Sequence, residues 1–488
     1  MDQNSSSAYP EWALKYRKPG TELRHINGRY YLYSYKTVYD PVRKRARKIS
    51  GSILGSITEE KGFVASPKKV LTESKSLDIS GKIRVKEYGV SSLLESRFGI
   101  YTKRLQQYFE QDWKMLLAIA YCRFAYHCPL KNIPHYLDNS FVPQMLKLSG
   151  YNEKTASGLL YKTGGNEQAR LGYMRSFIKS GEYILLDGTH ILSKSTQIDI
   201  VHGGYNHDKN FEGQINLLYI YSADQRIPVF YRLLPGNIRD VKSFKNTLIQ
   251  AGIKKAVIIA DKGFYSRANI EQLSGEKLSF IIPMKRDNPL IDYSSIIDNT
   301  FKNKGKFFQY KKRIIWHQSF EVEKYRLYLF LDDALRLREE TDYISRIRNA
   351  PDGNTAEKYQ RKRNTFGTIA FLCDSKQDNP QEVYENYKGR LFIENMFDGM
   401  KNILEADHTY MQDEQTLQGW LFINHICLQW YQQLYIELKD KGLLKTISVN
   451  DYIILLKSIE KININDGWYL NEFTNATKKL LTKTGIKL

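Results

Sequence analysis

The sequence predicts a mixed α/β fold, and three observations lead to that prediction. From residue 181 onward, short apolar runs of strand length are separated by Gly or Asp/Gln turns. Between residues 240 and 283 the pattern then alternates between helix and strand. After a break, a strand at Thr368–Cys373 and a helix from Pro380, with Asn379 as its N-cap, resume the same pattern. Consecutive strands followed by alternating helix and strand are typical of a mixed sheet covered by helices.

The elements expected within this domain can be given in chain order. The predicted strands are Tyr183–Leu186, Ile198–His202, Ile215–Tyr221, Ile227–Leu233, Ala256–Ala260 and Leu278–Pro283. The predicted helices are Asp240–Ala251 and one after Tyr265. Residues Asp287–Arg363 form an insertion, in which Phe307–Trp316 and Phe320–Phe330 read as strands and a charged helix follows. The catalytic domain would therefore comprise residues 181–286 and 364–412, with a β-rich insertion at 287–363.

The flanking regions have different patterns. Asn27-Gly28 between two extended, tyrosine-rich runs predicts a β-hairpin, so residues 1–95 are expected to form a small basic, β-rich region. Residues 96–180 show helical spacing and predict a small helical domain, and residues 413–488 are expected to be helical again.

The charge is the most unusual property of the composition. The chain has 73 Lys and Arg against 53 Asp and Glu, a net charge of +20. Such an excess attracts polyanions, although many basic proteins never bind nucleic acid. The first 48 residues hold 11 Lys or Arg and 4 Asp or Glu, including the cluster Arg43, Lys44 and Arg45. This cluster is either a phosphate-binding surface or an ordinary solvated hairpin face.

Other features exclude some classes of protein. The four cysteines form no CxxC pair, which is typical of reduced thiols rather than of a disulfide framework or zinc site. No apolar run approaches the roughly 18 residues needed to span a bilayer, so we expect no membrane association. A cytoplasmic protein is the simplest interpretation.

Two acidic residues follow predicted buried strands. Asp187 follows Tyr183–Leu186, and Asp261 follows the strand that ends at Ala260. Acids at the carboxyl ends of strands lie where open α/β sheets place their sites, so the two side chains are expected to converge. Carboxylate oxygens are the ligands that Mg²⁺ prefers, and two such ions can hold both the attacking and leaving oxygens of a phosphodiester. For either Asp alone, capping of the next turn is the simpler explanation.

A third acid belongs to a spaced motif. Tyr387, Arg390, Glu394 and Lys401 occur as Y-x2-R-x3-E-x6-K. On one regular helix the four side chains would fall within roughly 60° of one another. The apolar neighbours Leu391, Phe392 and Phe397 predict that this helix is buried. A carboxylate beside a phenol and two cations suits a metal-bound phosphate, although Arg390 and Glu394 alone could be a plain i,i+4 ion pair.

With these motifs the sequence resembles the DDE transposases of prokaryotic insertion sequences, in the group with the Y-R-E-K signature. The likeness extends over roughly Tyr183–Leu404 and includes PGN at 235–237 and DKGFYS at 261–266. It implies a ribonuclease H-like catalytic domain in which Asp187, Asp261 and Glu394 hold two Mg²⁺ ions, or Mn²⁺. The implied reaction is cleavage at the element ends followed by strand transfer into target DNA.

The resemblance also implies binding residues and partners. Tyr387, Arg390 and Lys401 would contact phosphates near the cleaved end of a double-stranded DNA terminal inverted repeat. Trp316, in the insertion, could stack on a flipped base, or it could simply pack within the insertion. Two element ends call for a homodimer. Two other functions fit the sequence: a catalytically silent DNA-binding protein derived from a transposase, and a metal-dependent nuclease without strand transfer.

Overall fold

A computed structural model describes residues 9–40, 44–66, 83–204, 212–238, 240–304, 306–349, 353–374, 379–464, 467–486 and 488. The chain divides into two compact units. The smaller comprises residues 1–84 and 463–469, and the larger comprises residues 85–462 and 470–488.

The smaller unit contains a four-stranded antiparallel sheet in which the strands follow chain order. Asn27 and Gly28 both adopt positive φ between the first two strands, as the predicted hairpin turn requires. The core of this unit is small and contains Ala13, Leu23, Leu32 and Ile57. Its elements are α1 (Glu11–Leu14), β1 (Thr21–Ile26), β2 (Arg29–Asp40), β3 (Arg45–Thr58) and β4 (Gly62–Ala65).

After the short strand β5, the larger unit continues with a series of helices. A long apolar stretch from Leu116 to Ala125 is buried almost completely, and it forms the centre of this helical region. The elements are β5 (Arg84–Glu87), α2 (Leu93–Ser96), α3 (Gly99–Tyr108), α4 (Trp113–Tyr126), α5 (Ile133–Asp138), α6 (Val142–Leu146), α7 (Glu153–Gly165) and α8 (Glu167–Arg175).

The main sheet is mixed, in agreement with the predicted class. Its strands are β6 (Tyr183–Ser193), β7 (Gln214–Ser222), β8 (Ile227–Pro235), β9 (Val257–Ala260), β10 (Ser279–Met284), β11 (Phe307–Tyr310), β12 (Arg313–Val322), β13 (Tyr325–Asp332), β14 (Thr368–Asp374) and the short β15 (His408–Thr409). Their order is β11-β12-β13-β14-β10-β9-β6-β7-β8, with β15 also paired to β6. The pairs β6–β9, β9–β10 and β6–β15 are parallel.

Three predicted strands differ from the structure. Ile198–His202 is not a strand, and only His202 forms an isolated bridge, to Gln214. The predicted strand Phe307–Trp316 is split by Lys311 and Lys312, both with positive φ, into β11 and β12. The predicted strand Phe320–Phe330 is likewise split by a turn at Glu323. Both turns consist of charged residues, Lys311-Lys312 and Glu323-Lys324, which interrupt the apolar pattern and were a usable signal for the two turns.

The strands of residues 307–332 belong to the main sheet. Strand β13 pairs with β14 over its whole length, from Tyr325 opposite Asp374 to Leu331 opposite Thr368. These residues therefore extend the sheet rather than form a separate one.

Helices surround the sheet and complete the larger unit. They are α9 (Asp240–Ala251), α10 (Arg267–Gly275), α11 (Ser294–Ile297), α12 (Asp333–Asn349), α13 (Ala356–Lys362), α14 (Pro380–Lys388), α15 (Leu391–Asp398), α16 (Glu414–Asp440), α17 (Val449–Lys457) and α18 (Asn475–Thr484). The region after residue 413 was expected to be helical throughout, but it also contains β16 (Glu460–Ile464) and β17 (Gly467–Leu470). In the described part of the chain, no helix is long and apolar enough to cross a membrane.

Helix α16 is the central helix of the larger unit. It is buried on nearly all sides, and Trp430 within it stacks on Phe98 with ring centroids 4.5 Å apart. The helix also buries the polar side chains of Asn424, His425, Gln429 and Gln432, so it belongs in the core although it is not apolar on all faces. Glycines allow α7 and α16 to approach closely, because a Cβ on Gly164 or Gly419 would collide with the backbone of the other helix.

Candidate active site

The two aspartates lie side by side on neighbouring parallel strands. Leu186 of β6 and Ala260 of β9 are the last pair between these two strands. Asp187 and Asp261 are the next residues, so they lie next to each other where the pairing ends. Asp261 comes directly after β9, as predicted.

Asp187 was predicted to end its strand, and that prediction was wrong. Strand β6 continues to Ser193 because its other edge remains hydrogen-bonded to β7 as far as Leu192. The edge that faces β9 is paired only up to Leu186 and is paired again at Leu192, by β15. Asp187 therefore lies at the start of a gap in the sheet that opens where β9 ends.

The segment that carries Glu394 is not one regular helix, so the prediction of a single face was also wrong. Helix α14 ends at Lys388, and α15 begins at Leu391. Between them the turns are tighter than in an α-helix, since Arg390 N–H donates to Tyr387 O (3.0 Å) and Ile393 N–H to Arg390 O (3.0 Å). A π-helical turn, Gly399–Ile403, follows α15 and carries Lys401. The fixed sequence spacing therefore does not translate into one common face.

Arg390 makes the closest contacts with the acids. One terminal nitrogen of its guanidinium donates to Asp261 Oδ1 (2.7 Å) and the other to Asp187 Oδ2 (2.8 Å). The second nitrogen lies 4.0 Å from Glu394 Oε1. The exposed fraction of the side chain is 15% for Arg390, 18% for Asp187 and 34% for Asp261, but 53% for Glu394. All three predicted acids are thus brought around one positive charge.

The electrostatic environment reflects this enclosure. Burial raises the pKa of the Asp187 carboxyl, while Arg390 and the N–H of Gly188 oppose that rise. Burial acts to lower the pKa of Arg390, yet Asp187 and Asp261 outweigh it and the pKa is raised. Within the described residues, Arg390 Nε is buried and has no hydrogen-bond acceptor.

Tyr387 lies next to this cluster. Its ring packs on Phe371 of β14, with centroids 4.5 Å apart, and burial raises the pKa of its hydroxyl. Tyr387 and Arg390 both line a polar cavity of about 600 Å³ that reaches Asp261. Lys401 is half-buried on the π-helical turn.

The same cavity contains charged residues that the sequence analysis missed. Lys285 and Arg286 follow β10, which is parallel to β9, so they lie at the same sheet edge as Asp261. Arg286 is held by Glu339 (2.9 Å) and by the carbonyl of Thr368 (3.0 Å), whereas Lys285 is exposed. Two cations directly after a predicted strand were a usable signal, but only the order of the strands places them beside Asp261.

Packing against α16 and α4 positions the helix that carries Glu394. Asn395 donates to the hydroxyl of Tyr435 (3.1 Å), and Gly399 lies so close to Tyr431 that a Cβ would enter its ring. After the π-helical turn, the guanidinium of Arg123 in α4 donates to the carbonyls of Leu404 and Glu405. Leu391 was predicted to be buried but is exposed, and Ile393 and Met396 are the residues that pack inward.

The remaining predicted residues lie elsewhere. Trp316 on β12 contacts Phe307 (ring centroids 5.2 Å apart) and lies beneath Lys302, so part of its surface is covered by its own hairpin. Lys44 and Arg45 are exposed where the chain enters β3. Arg43 lies outside the described residues.

The acids suit a divalent cation in their chemistry but are not arranged as a ready site. Among the described residues, no group of three His, Cys, Asp or Glu side chains is close enough to hold a metal ion, and Arg390 lies between the two aspartates. The donors are nevertheless carboxylates that converge on a positive charge, as a hard cation requires. To hold a divalent ion, the three carboxylates would have to move closer together and Arg390 would have to leave the space between the aspartates.

Comparison with known proteins identifies the family of the chain. The sequence model of the family described as "Transposase DDE domain" matches residues 179–430, which is more than half of the chain and includes all three acids. The chain therefore belongs to that family of transposases. No curated protein matches the sequence.

A solved structure is also similar to the chain. It is a piggyBac transposase synaptic complex with hairpin DNA, determined by cryo-EM, with 11% sequence identity and a TM-score of 0.36. The similarity covers 73% of this chain and 70% of that one. A likeness this distant carries no argument about the function of the chain.

Proposed function

We propose that this protein is an active DNA transposase of an insertion sequence, which cleaves the element ends and joins them to target DNA. The observation that carries the proposal is the convergence of Asp187, Asp261 and Glu394 around the Arg390 guanidinium, at the point where β9 ends. A sheet edge that gathers three carboxylates beside a cavity lined by both cations and acids is suited to metal-dependent phosphoryl transfer. The parallel β6–β9 pair that bears the aspartates, with β7 and β8 antiparallel beside it, supports a ribonuclease H-like catalytic domain.

In this proposal the three carboxylates hold two divalent ions, Mg²⁺ or Mn²⁺. When bound, such ions lower the pKa of a coordinated water and neutralise charge on the leaving oxygen. Arg390 is displaced from the aspartates and binds a phosphate of the DNA end with the donors released. Tyr387, fixed against Phe371, would limit where that phosphate can lie.

The cavity supplies the remaining binding surface. Lys285 is exposed and free to reach the backbone of the DNA end, whereas Arg286 is already fixed by Glu339. Hydrolysis at the element end leaves a 3′-hydroxyl. In the same site this hydroxyl then attacks a target phosphodiester, forming a new P–O bond while the 3′-oxygen of the target strand leaves. Two ends must be joined, so we expect a homodimer on terminal inverted repeats.

The deciding experiment is a cleavage and joining assay. Purified protein, Mg²⁺ or Mn²⁺ and a donor DNA with the gene's own flanking sequence should give joined products. These should disappear in Asp187→Ala and persist in Asp199→Ala, because Asp199 is an exposed carboxylate outside the site. Sequence-specific binding without cutting would favour a silent DNA-binding protein instead. Cutting without joining would favour a nuclease.

A further inference from the structure

The smaller unit contains a two-stranded ribbon that its own sheet does not cover. Strand β1 pairs with β2 only as far as Ser34, and β4 pairs with β3 only from Gly55 onward. Beyond these points β2 and β3 pair only with each other, from Tyr35 opposite Ser50 to Asp40 opposite Arg45. The described residues 36–39 and 44–52 of this ribbon are all exposed.

The two faces of the ribbon differ in how their charges are used. On one face, Lys48 lies 3.2 Å from Glu22 of β1 and stacks over Tyr35 (3.9 Å). Arg24, on the adjoining strand β1, is hydrogen-bonded to the same Glu22 (2.7 Å) and stacks over Tyr33 (4.6 Å). Both cations are therefore already engaged with one carboxylate and two rings.

The opposite face has cations without such partners. Side chains alternate along a strand, so Lys36 and Val38 share a face with their cross-strand partners Ile49 and Arg47. Among the described residues neither Lys36 nor Arg47 forms an ion pair, although the next cation, Arg45, has Asp40 as its cross-strand partner. Val38 and Ile49 are each about half exposed. We call these four residues, Lys36, Val38, Arg47 and Ile49, the ribbon face.

This combination fits one macromolecule. A two-stranded ribbon has the width of the DNA major groove, where guanine offers acceptors to Arg or Lys and thymine offers a methyl group to apolar side chains. Lys36 and Arg47 are diagonal neighbours on the ladder, and like charges so placed favour an anionic partner. A surface that binds only the phosphate backbone would need the cations but not the exposed Val38 and Ile49.

We propose that the ribbon face enters the major groove of duplex DNA and reads its sequence. This inference rests on the proposed function, since it assigns sequence recognition at the element end to the smaller unit. Lys36 and Arg47 donate to guanine edges or adjacent phosphates, and Val38 and Ile49 contact thymine methyl groups.

The test compares two variants that each lose two positive charges. The preferred duplex is first selected from a random DNA pool with the full chain in EDTA, which requires no cleavage. Lys36→Ala/Arg47→Ala should lower the ratio of preferred to scrambled affinity by on the order of 10-fold or more. Arg24→Ala/Lys48→Ala, from the opposite face, should leave that ratio unchanged. An equal loss in both variants, or in neither, would overturn the proposal.

A second measurement uses altered DNA instead of altered protein. Replacing thymine with uracil removes only the major-groove methyl, so the wild-type chain should bind the preferred duplex several-fold more weakly. Val38→Ala/Ile49→Ala should be insensitive to that replacement, and equal sensitivity would contradict the proposal. Because these are binding assays in EDTA, they can fail while cleavage and joining succeed, and the reverse also holds.

Discussion

The gap in the main sheet and the ribbon of the smaller unit use the same kinds of side chain in opposite ways. At the gap, the charge of Arg390 is enclosed by two carboxylates and the side chain is only 15% exposed. On the ribbon face, Arg47 is exposed and has no acidic partner in the described part of the chain. An excess of positive charge alone therefore does not locate a DNA-binding surface. Burial and the nearest carboxylate decide whether a cation is already engaged or is open to a ligand.

The largest expected effect is on cleavage by a variant at Glu394, which should lose catalysis without losing DNA binding. Glu394→Gln should reduce cleavage on the order of 10³-fold, because a neutral amide is a poor ligand for a divalent ion that is worth several kcal/mol in the transition state. DNA affinity and Tm should hardly change, because Glu394 is half exposed and its carboxylate is 4.0 Å from Arg390, farther than either aspartate. Cleavage at the wild-type rate would remove Glu394 from the mechanism.

A smaller effect tests whether the charge of Arg390 is truly enclosed. Arg390→Ala leaves two carboxylates adjacent without a counter-charge, so the free energy of unfolding should fall by about 1–3 kcal/mol after allowance for solvent screening. Mg²⁺ should restore much of the Tm without DNA, because an ion that binds only the folded state stabilises it. The control Lys285→Ala removes an exposed cation of the same cavity and should show neither effect. A Tm that is unchanged in Arg390→Ala would mean that the arginine does not balance the acids.

A further prediction concerns packing behind the site. Gly399→Ala would place a methyl carbon 2.4 Å from Cε1 at the ring edge of Tyr431, and we expect it to cost about 1–3 kcal/mol and to slow cleavage by shifting Glu394. Gly158→Ala in α7 is the matched control, because nothing lies near the added Cβ. Thermal unfolding and cleavage rates would be measured for both. Equal behaviour of the two variants would show that the turn after α15 adapts freely.

The smallest effect sharpens the contrast between general and sequence-specific binding. Lys401→Ala should weaken binding of the pre-cut DNA end about equally for all sequences and lower the salt slope by about one. The ribbon-face double variant should instead change sequence preference. An unchanged slope would leave Lys401 as a structural residue of the π-helical turn.

The local sequence was sufficient for several elements. The hairpin turn at Asn27-Gly28, helix Asp240–Ala251, the start of the helix at Pro380 and the position of Asp261 after its strand were all predicted from residues within a few positions. These features depend on turn conformation, capping and short apolar periodicity, which are local properties. The match over residues 179–430 confirmed that the chain belongs to the DDE transposases, while the Y-R-E-K group stays a prediction.

Other predictions failed because the deciding interactions are distant in sequence. Strand β6 continues past Asp187 because β7 pairs with it, and the helix with Glu394 changes its winding around Gly389 and Gly399 as it packs on α16. Lys285 and Arg286 join the site only because β10 lies beside β9.

By itself, therefore, the sequence determined the class of fold, the three candidate acids and the basic character of the protein. Only the tertiary structure decided that Arg390 stands between those acids, and which face of the ribbon carries unengaged cations. The physical reason is that the state of a charge depends on its neighbours in space and on its access to water. The neighbours of Arg390 are Asp187 and Asp261, which lie 203 and 129 positions away in the sequence.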